Sequence, residues 1–256
     1  MDGCTIQYPL GKETHMKAIH TTAVIIAAAS TVASADIVDM KFTGTGAGQN
    51  VRIQIGDNDA FNVFAGELKH EITNAAGVDQ YLNGTHRTFC ADVNEHVTRD
   101  FAQYHTEQLE NIPLTASNSA PMSSTQANAI RSLYSQNNAT LMSGVLSNAY
   151  GAAMQITLWE IVNDFDGTAD SINVNAGNLT FASTNSNALD AGVLAQIESF
   201  KAQITSGLNL GQTGPDKVLG LANEGAQDQL VAVPTPGSLS LLASAGLIAV
   251  RRRRSA

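Results

Sequence analysis

Val51-Arg-Ile-Gln-Ile-Gly-Asp-Asn-Asp-Ala-Phe-Asn-Val-Phe64 sets the architecture. Val51, Ile53 and Ile55 alternate with Arg52 and Gln54, the period of a half-buried strand. Gly56-Asp-Asn-Asp59 has hairpin-turn composition, and Phe61-Asn-Val-Phe64 resumes the alternation, so two antiparallel strands are expected here. Upstream, Met40-Lys-Phe-Thr43 reads as a strand before a Gly-rich stretch. Downstream, Arg87 to Val93 and Val97 to Tyr104 read as further strands. The period changes after Pro113. Ser123 or Ser124 can cap a helix carrying Ala127, Ile130, Leu133 and Tyr134 at helical spacing. A second helix is expected from Leu141 to about Phe165, with a break at Tyr150-Gly151, and a third from Ala188 to Ile204. Ser171 to Val174, Leu179 to Phe181, Val218 to Leu221 and Gln229 to Val233 read as strands. Strands, a helical stretch, then strands again predict an α+β domain: an antiparallel β-sandwich or barrel-like lobe with an inserted helical lobe.

Outside this body the sequence changes character. Residues 1–15 show no apolar pattern and read as a non-native extension. Met16 opens a better organised segment, with Lys17 and His20, an apolar Ala23-Val-Ile-Ile-Ala-Ala-Ala29, and the small-residue site Ala33-Ser-Ala35 before Asp36. Residues 16–35 are therefore expected to be a signal peptide, too short in its apolar part for the roughly 20 residues a spanning helix needs. At the other end, Val233-Pro-Thr-Pro-Gly237 precedes an apolar run from Leu239 to Val250 and then Arg251 to Arg254. Residues 234–256 thus read as a short membrane tail with its arginines on the cytoplasmic side. The folded body is expected to span 36–233. An exported protein, at the cell surface or in the extracellular matrix and transiently held by its tail, fits these ends.

The whole chain of 256 residues has 43% hydrophobic and 14% charged residues. Setting aside Lys12, Lys17 and Arg251 to Arg254 leaves 8 of 14 basic residues, and setting aside Asp2 and Glu13 leaves 21 of 23 acidic ones. The body's net charge of −13 argues against nucleic acid or anionic lipid as its partner. Of the two cysteines, Cys4 lies upstream of the cleavage site. Cys90 is then alone in a compartment where thiols oxidise, which suggests intermolecular pairing, a reactive thiol or another covalent use.

Two segments carry chemistry: Thr88-Phe-Cys-Ala-Asp92 and Ala152-Ala-Met-Gln-Ile-Thr-Leu-Trp-Glu160. An aromatic-Cys-x-Asp strand followed by a Gln-x-x-x-Trp helix resembles the thioester domains of bacterial surface adhesins. Similar segments occur in exported proteins of the PEP-CTERM class, whose tails resemble Val233-Pro-Thr-Pro236 with its apolar run and terminal arginines. Met154 stands where adhesins usually have Thr, Thr157-Leu158 replaces Ala-Ile, and Thr235 replaces the Glu of the sorting motif. The resemblance implies an internal thioester between Cys90 and Gln155. It also implies a sorting motif of Val233, Pro234 and Pro236 recognised by an exosortase-type membrane protease.

In such a bond the sulfur of Cys90 acylates itself on the Gln155 side-chain carbonyl, and an external amine or hydroxyl on a surface or matrix later takes the acyl group. This is a single-use anchor, so no turnover enzyme and no cofactor are expected. Trp159, four residues after Gln155, shares its helix face and can shield the site. Asp92, two residues after Cys90, is expected on the same strand face, positioned to handle a proton. Phe89 points the other way, into the core. The alternative is a non-covalent structural or carbohydrate-binding module of the same fold with an inert Cys90, since a lone cysteine is often a small buried hydrophobe. A secreted hydrolase is disfavoured for want of a readable catalytic set. Asp57 and Asp59, and the loop carrying Asp164, Asp166 and Asp170, read as solvated turns rather than a calcium site. His86, His96 and His105 with Glu95 lack the spacing of a zinc site, so no metal is expected.

Overall fold

A computed structural model describes residues 36–114, 120–209 and 217–234. The segment read as signal peptide and, from residue 235 on, the segment read as tail, Pro236 among them, lie outside the described residues. Strand β1 (Ile37–Ile55) joins the two predicted segments into one long strand, and β2 (Phe61–Thr73) returns along it. The hairpin turn forms as expected, with Gly56 at a positive φ of 54° and the Asn58 amide donating to the Ile55 carbonyl at 3.1 Å. Two register shifts, between Phe42 and Gly44 and between Thr45 and Gly48, bend β1 so that its halves serve different neighbours.

That bend closes a barrel. The first half of β1 pairs with β4 (Ala102–Glu107), its length pairs with β2, and its last residues take β5 (Leu179–Ser183) as an outer strand. From β2 the ladder continues through β3 (Gly84–Cys90), β7 (Gln229–Ala232) and β6 (Val218–Ala222) back to β4, every pair antiparallel. Closure leaves β5 as the outer strand of the sheet. Val38, Met40, Ile72, Tyr104, Leu221 and Val231 converge from five strands as one buried cluster. The architecture is α+β, a barrel-like antiparallel sheet with a helical lobe inserted between β4 and β6.

The helical lobe packs on the sheet through a second, larger core. Helix α1 (Ser124–Ser143) starts at Ser123 through a capping box: the Gln126 amide donates to Ser123 Oγ at 3.3 Å, and the Ser123 amide donates to Gln126 Oε1 at 2.8 Å. Helix α2 (Asn148–Asp164) is capped by Ser147, whose Oγ accepts from the Tyr150 amide. The predicted helix from Leu141 is therefore two helices, and the break falls at 144–147 instead of Tyr150-Gly151. Every residue from Gly151 to Ile161 is buried, so α2 lies between the sheet and its fellow helices. Helix α3 (Ala191–Asn209) covers it with Val193, Ile197, Phe200 and Ile204. Two strand expectations are corrected. The segment 171–174 is a loop entered through a short 3-10 turn (Ala169–Ser171), and the strand expected over 97–104 begins only at Ala102.

Candidate functional site

The site grows from the place where β3 loses one neighbour. Register with β7 sets Gln229 opposite Cys90, Leu230 opposite Phe89 and Val231 opposite Thr88. The Ala91 amide donates to the Asp228 carbonyl at 2.9 Å, so the N–H and C=O of Cys90 face the other edge, toward β2. There the β2 ladder has already stopped at the Leu68–Thr88 pair. Two buried backbone groups at Cys90 need partners, and a side chain from α2 supplies both. The Cys90 amide donates to Gln155 Oε1 at 2.8 Å, and Gln155 Nε2 donates to the Cys90 carbonyl at 2.9 Å. Gln155 is wholly buried, and its carboxamide stands in for a strand residue.

The thiol of Cys90, the free cysteine among the described residues, is also buried. It donates to Gln227 Oε1 at 2.8 Å. Gln229 Nε2 donates to the same oxygen at 3.2 Å and lies 3.9 Å from the sulfur. Behind Gln229, Thr88 Oγ1 donates to Gln229 Oε1 at 3.0 Å and meets His70 Nδ1 at 2.8 Å. Burial pushes the Cys90 thiol well above its ordinary range, against the opposing pull of the Gln229 amide, and the charge of Asp92 adds to the rise. Burial also lowers His70 to about 4, so its imidazole is neutral at pH 7. Sequence reasoning missed Gln227, Gln229, Thr88 and His70 as a group. The legible signal was Gln227-Asp-Gln229, an unusually polar lead into a buried apolar strand.

Asp92 lies outside the strand in which it was expected. β3 ends at Cys90, so strand alternation does not extend to Asp92. Its Oδ1 accepts from the amides of Asn94 and Glu95, each at 2.9 Å, and its Oδ2 from the Asp228 amide at 3.3 Å. Asp228 in turn accepts from the Leu114 and Asn223 amides at 2.6 and 2.8 Å. The two carboxyls tie three loops together beside the site. Burial raises both, Asp228 to about 7, while the backbone donors act in the opposite direction. Trp159 occupies the expected face of α2. Its ring stacks on Phe181 with 6.2 Å between centroids, and its buried Nε1 has no hydrogen-bond partner.

Cys90, Trp159 and Gln227 line a cavity of about 310 Å³, together with Phe42, Phe61, Phe64 and Val97. Glu95 and His96 are the ionisable groups in its wall besides Cys90. A larger groove of about 690 Å³ runs along α3 past Asp170, Glu198 and Lys201, and touches none of this cluster. Its shallow, solvated lining offers no converging chemistry, so the smaller cavity is the candidate site. Val233 and Pro234 close the described domain, the Val233 amide donating to the Lys217 carbonyl at 3.0 Å. Among the described residues no group of three or more His, Cys, Asp or Glu side chains could hold a metal ion, and no helix is long and apolar enough to cross a membrane.

Neither family models, nor characterised proteins, nor solved structures yield a match to this chain.

Proposed function

We propose that the protein is an exported surface or matrix module in which Cys90 and Gln155 form an internal thioester, later surrendered to an external nucleophile. The observation that carries the reading is the double hydrogen bond between the Gln155 carboxamide and the backbone of Cys90, beside a cavity that reaches the thiol. Such docking fixes the Gln155 carboxamide on the backbone of the residue whose sulfur must reach it, and proximity is what acyl transfer needs. The Cys90 amide on Gln155 Oε1 favours negative charge on that oxygen, as an oxyanion-hole donor does. In the first step the Cys90 sulfur bonds to Gln155 Cδ, the Cδ–Nε2 bond breaks, and the thiol proton leaves with the nitrogen as ammonia. In the second, an external amine or hydroxyl bonds to Cδ, the Cδ–S bond breaks, and the nucleophile's proton returns to sulfur.

Intact mass tests this directly. The purified protein is expected about 17 Da below its calculated mass, with about 31 Da gained on methylamine treatment, the masses of ammonia lost and methylamine added. Cys90→Ala abolishes both changes. The calculated mass in the untreated protein, with one titratable thiol, overturns the reading. A second reading, a non-covalent surface module with an inert Cys90, is favoured by the buried, hydrogen-bonded thiol and by a carboxamide whose two ends are both partnered. Under the first reading the tail's Val233, Pro234 and Pro236 are part of the same proposal, as the site where an exosortase-type membrane protease acts.

A further inference from the structure

The hydrogen bonds around the sulfur have only one consistent set of directions. Gln227 Nε2 donates to two backbone carbonyls, Asp92 O at 3.1 Å and Glu95 O at 3.0 Å, which uses both of its hydrogens and forbids a flip of the amide. Its Oε1 must therefore face Cys90, where it meets the sulfur at 2.8 Å. An amide oxygen accepts only, so the sulfur must supply the hydrogen. The same constraint runs outward. Gln229 Nε2 donates to Gln227 Oε1 and to the Gln227 carbonyl, so Gln229 Oε1 accepts from Thr88 Oγ1. With its hydrogen committed, Thr88 Oγ1 accepts from His70 Nδ1, which fixes the tautomer and leaves His70 Nε2 as a buried lone pair without a partner.

We infer that Gln227 is a positioning residue for the Cys90 sulfur, and that the file His70–Thr88–Gln229 holds Gln227's acceptor end on the S–H. A thiolate here would face an amide oxygen that cannot turn away, so Gln227, held in place by the file, keeps the sulfur protonated and in one rotamer until the bond to Gln155 is made, against the opposing pull of Gln229 Nε2 at 3.9 Å. The consequence for bond formation rests on the thioester reading; the orientation of the thiol does not. Titratable groups around the sulfur include Asp92 on its own segment, Glu95 and His96 across the cavity, Asp228 before β7, Tyr104 on β4 and Tyr134 on α1. None of them belongs to the file.

The test begins in a Gln155→Ala background, where no thioester can form and the thiol is always present, with Gln155→Glu as a second background should the first fold poorly. There Gln227→Met is expected to lower the pH midpoint of iodoacetamide alkylation by about one unit, a tenfold rise in rate at a fixed pH below it. Thr88→Val, one link further out, gives a smaller rise, and Thr88→Ser, which keeps the hydroxyl, restores the parent rate. A merely structural contribution would lower thermal stability without moving the midpoint, and an unchanged midpoint in both Gln227→Met and Thr88→Val overturns the inference. With Gln155 intact, Gln227→Met lowers the fraction of molecules showing the loss of ammonia, and Thr88→Ser leaves it unchanged. If the unmodified protein shows no such loss, the thioester reading fails while the alkylation series still decides the role of Gln227.

Discussion

Gly151 of α2 lies directly against the carbonyl of Ala47 in β1, so close that a Cβ at Gly151 would overlap the Ala47 oxygen and carbon. The bulge of β1 between Thr45 and Gly48 meets the helix here, one turn before Gln155. The close approach sets how deeply α2 sits against the sheet, and so how far the Gln155 carboxamide reaches toward Cys90. Gly151→Ala is expected to destabilise the fold by about 3 kcal/mol, the upper part of the overpacking range, despite alanine's better helix propensity. Urea unfolding measures the loss. A stabilised variant would mean that α2 does not rest on β1 at this point.

Arg87 joins the two lobes. Its guanidinium donates to the carbonyls of Thr140, Leu141 and Gly144 at 3.2, 2.7 and 3.0 Å, at the end of α1 and the residue after it, where the Thr140 carbonyl also accepts from the Gly144 amide at 2.8 Å. Its Nε pairs with Glu67 at 3.2 Å, where both side chains are largely buried. Arg87→Met removes the guanidinium from the Glu67 carboxylate, which keeps the Ala47 amide at 3.4 Å, and from the Leu141 and Gly144 carbonyls, an expected loss of about 2 kcal/mol after allowance for partial solvent screening. Arg87→Lys keeps the charge but not the fork, and should recover less than half of it. Equal stability of the methionine variant in a urea titration would show the cap to be idle.

Asp92 distinguishes a loop tie from a proton carrier. Its three backbone donors hold the segment after Cys90 against the turn before β7. Asp92→Ala should cost about 2 kcal/mol, the scale of hydrogen bonds to a charged group. Asp92→Asn keeps an acceptor for Asn94 and Glu95 but gives the Asp228 amide an N–H to face, and should fall between the two. If the carboxyl instead moved a proton for the sulfur, the two variants would abolish the ammonia loss equally while leaving stability alike. Mass and urea midpoints measured on one set of samples decide between them.

The barrel was legible wherever one face of a strand is buried and the other is not. Val51 to Phe64 declared its hairpin because alternation and turn chemistry agree there. The start of α1 was narrowed to Ser123 or Ser124, and the structure selects Ser123 through its Gln partner three residues away. Cys90 and Gln155 stood out by residue type, and the fold brings them together across 65 positions. What stayed hidden depends on pairing between distant strands. Gln229 faces Cys90 only because β7 lies beside β3, and Gln227 reaches the sulfur only because Asp92 and Glu95 turn their carbonyls toward it. Strand alternation misplaced Asp92, because β3 stops where the loop tied by Asp228 begins. The split between α1 and α2 was masked by the apolar content of both segments, and Ser147 was the overlooked punctuation.

Glu160 makes stability depend on pH in a direction opposite to that of a paired carboxylate. It is fully buried on α2, its Oε2 accepts from the Asn173 amide at 2.8 Å, and its Oε1 has no partner. Burial raises it from 4.5 to about 8, opposed by the Asn173 donor, with Asp164 adding to the rise and Lys201 reducing it. The folded state therefore holds a proton that the unfolded chain releases near pH 4.5. The stabilisation from the neutral form is complete below that pH and is lost as pH rises through the window up to about 8. Asp228, raised to about 7 by the same cause, adds to the slope in the lower part of that window. The thermal midpoint is expected to fall between pH 6 and pH 8.5, and Glu160→Gln, which keeps the acceptor for Asn173 without the ionisation, should flatten most of that fall. A midpoint that rises across the same range would mean that Glu160 is charged in the folded protein and that a cation reaches its free oxygen.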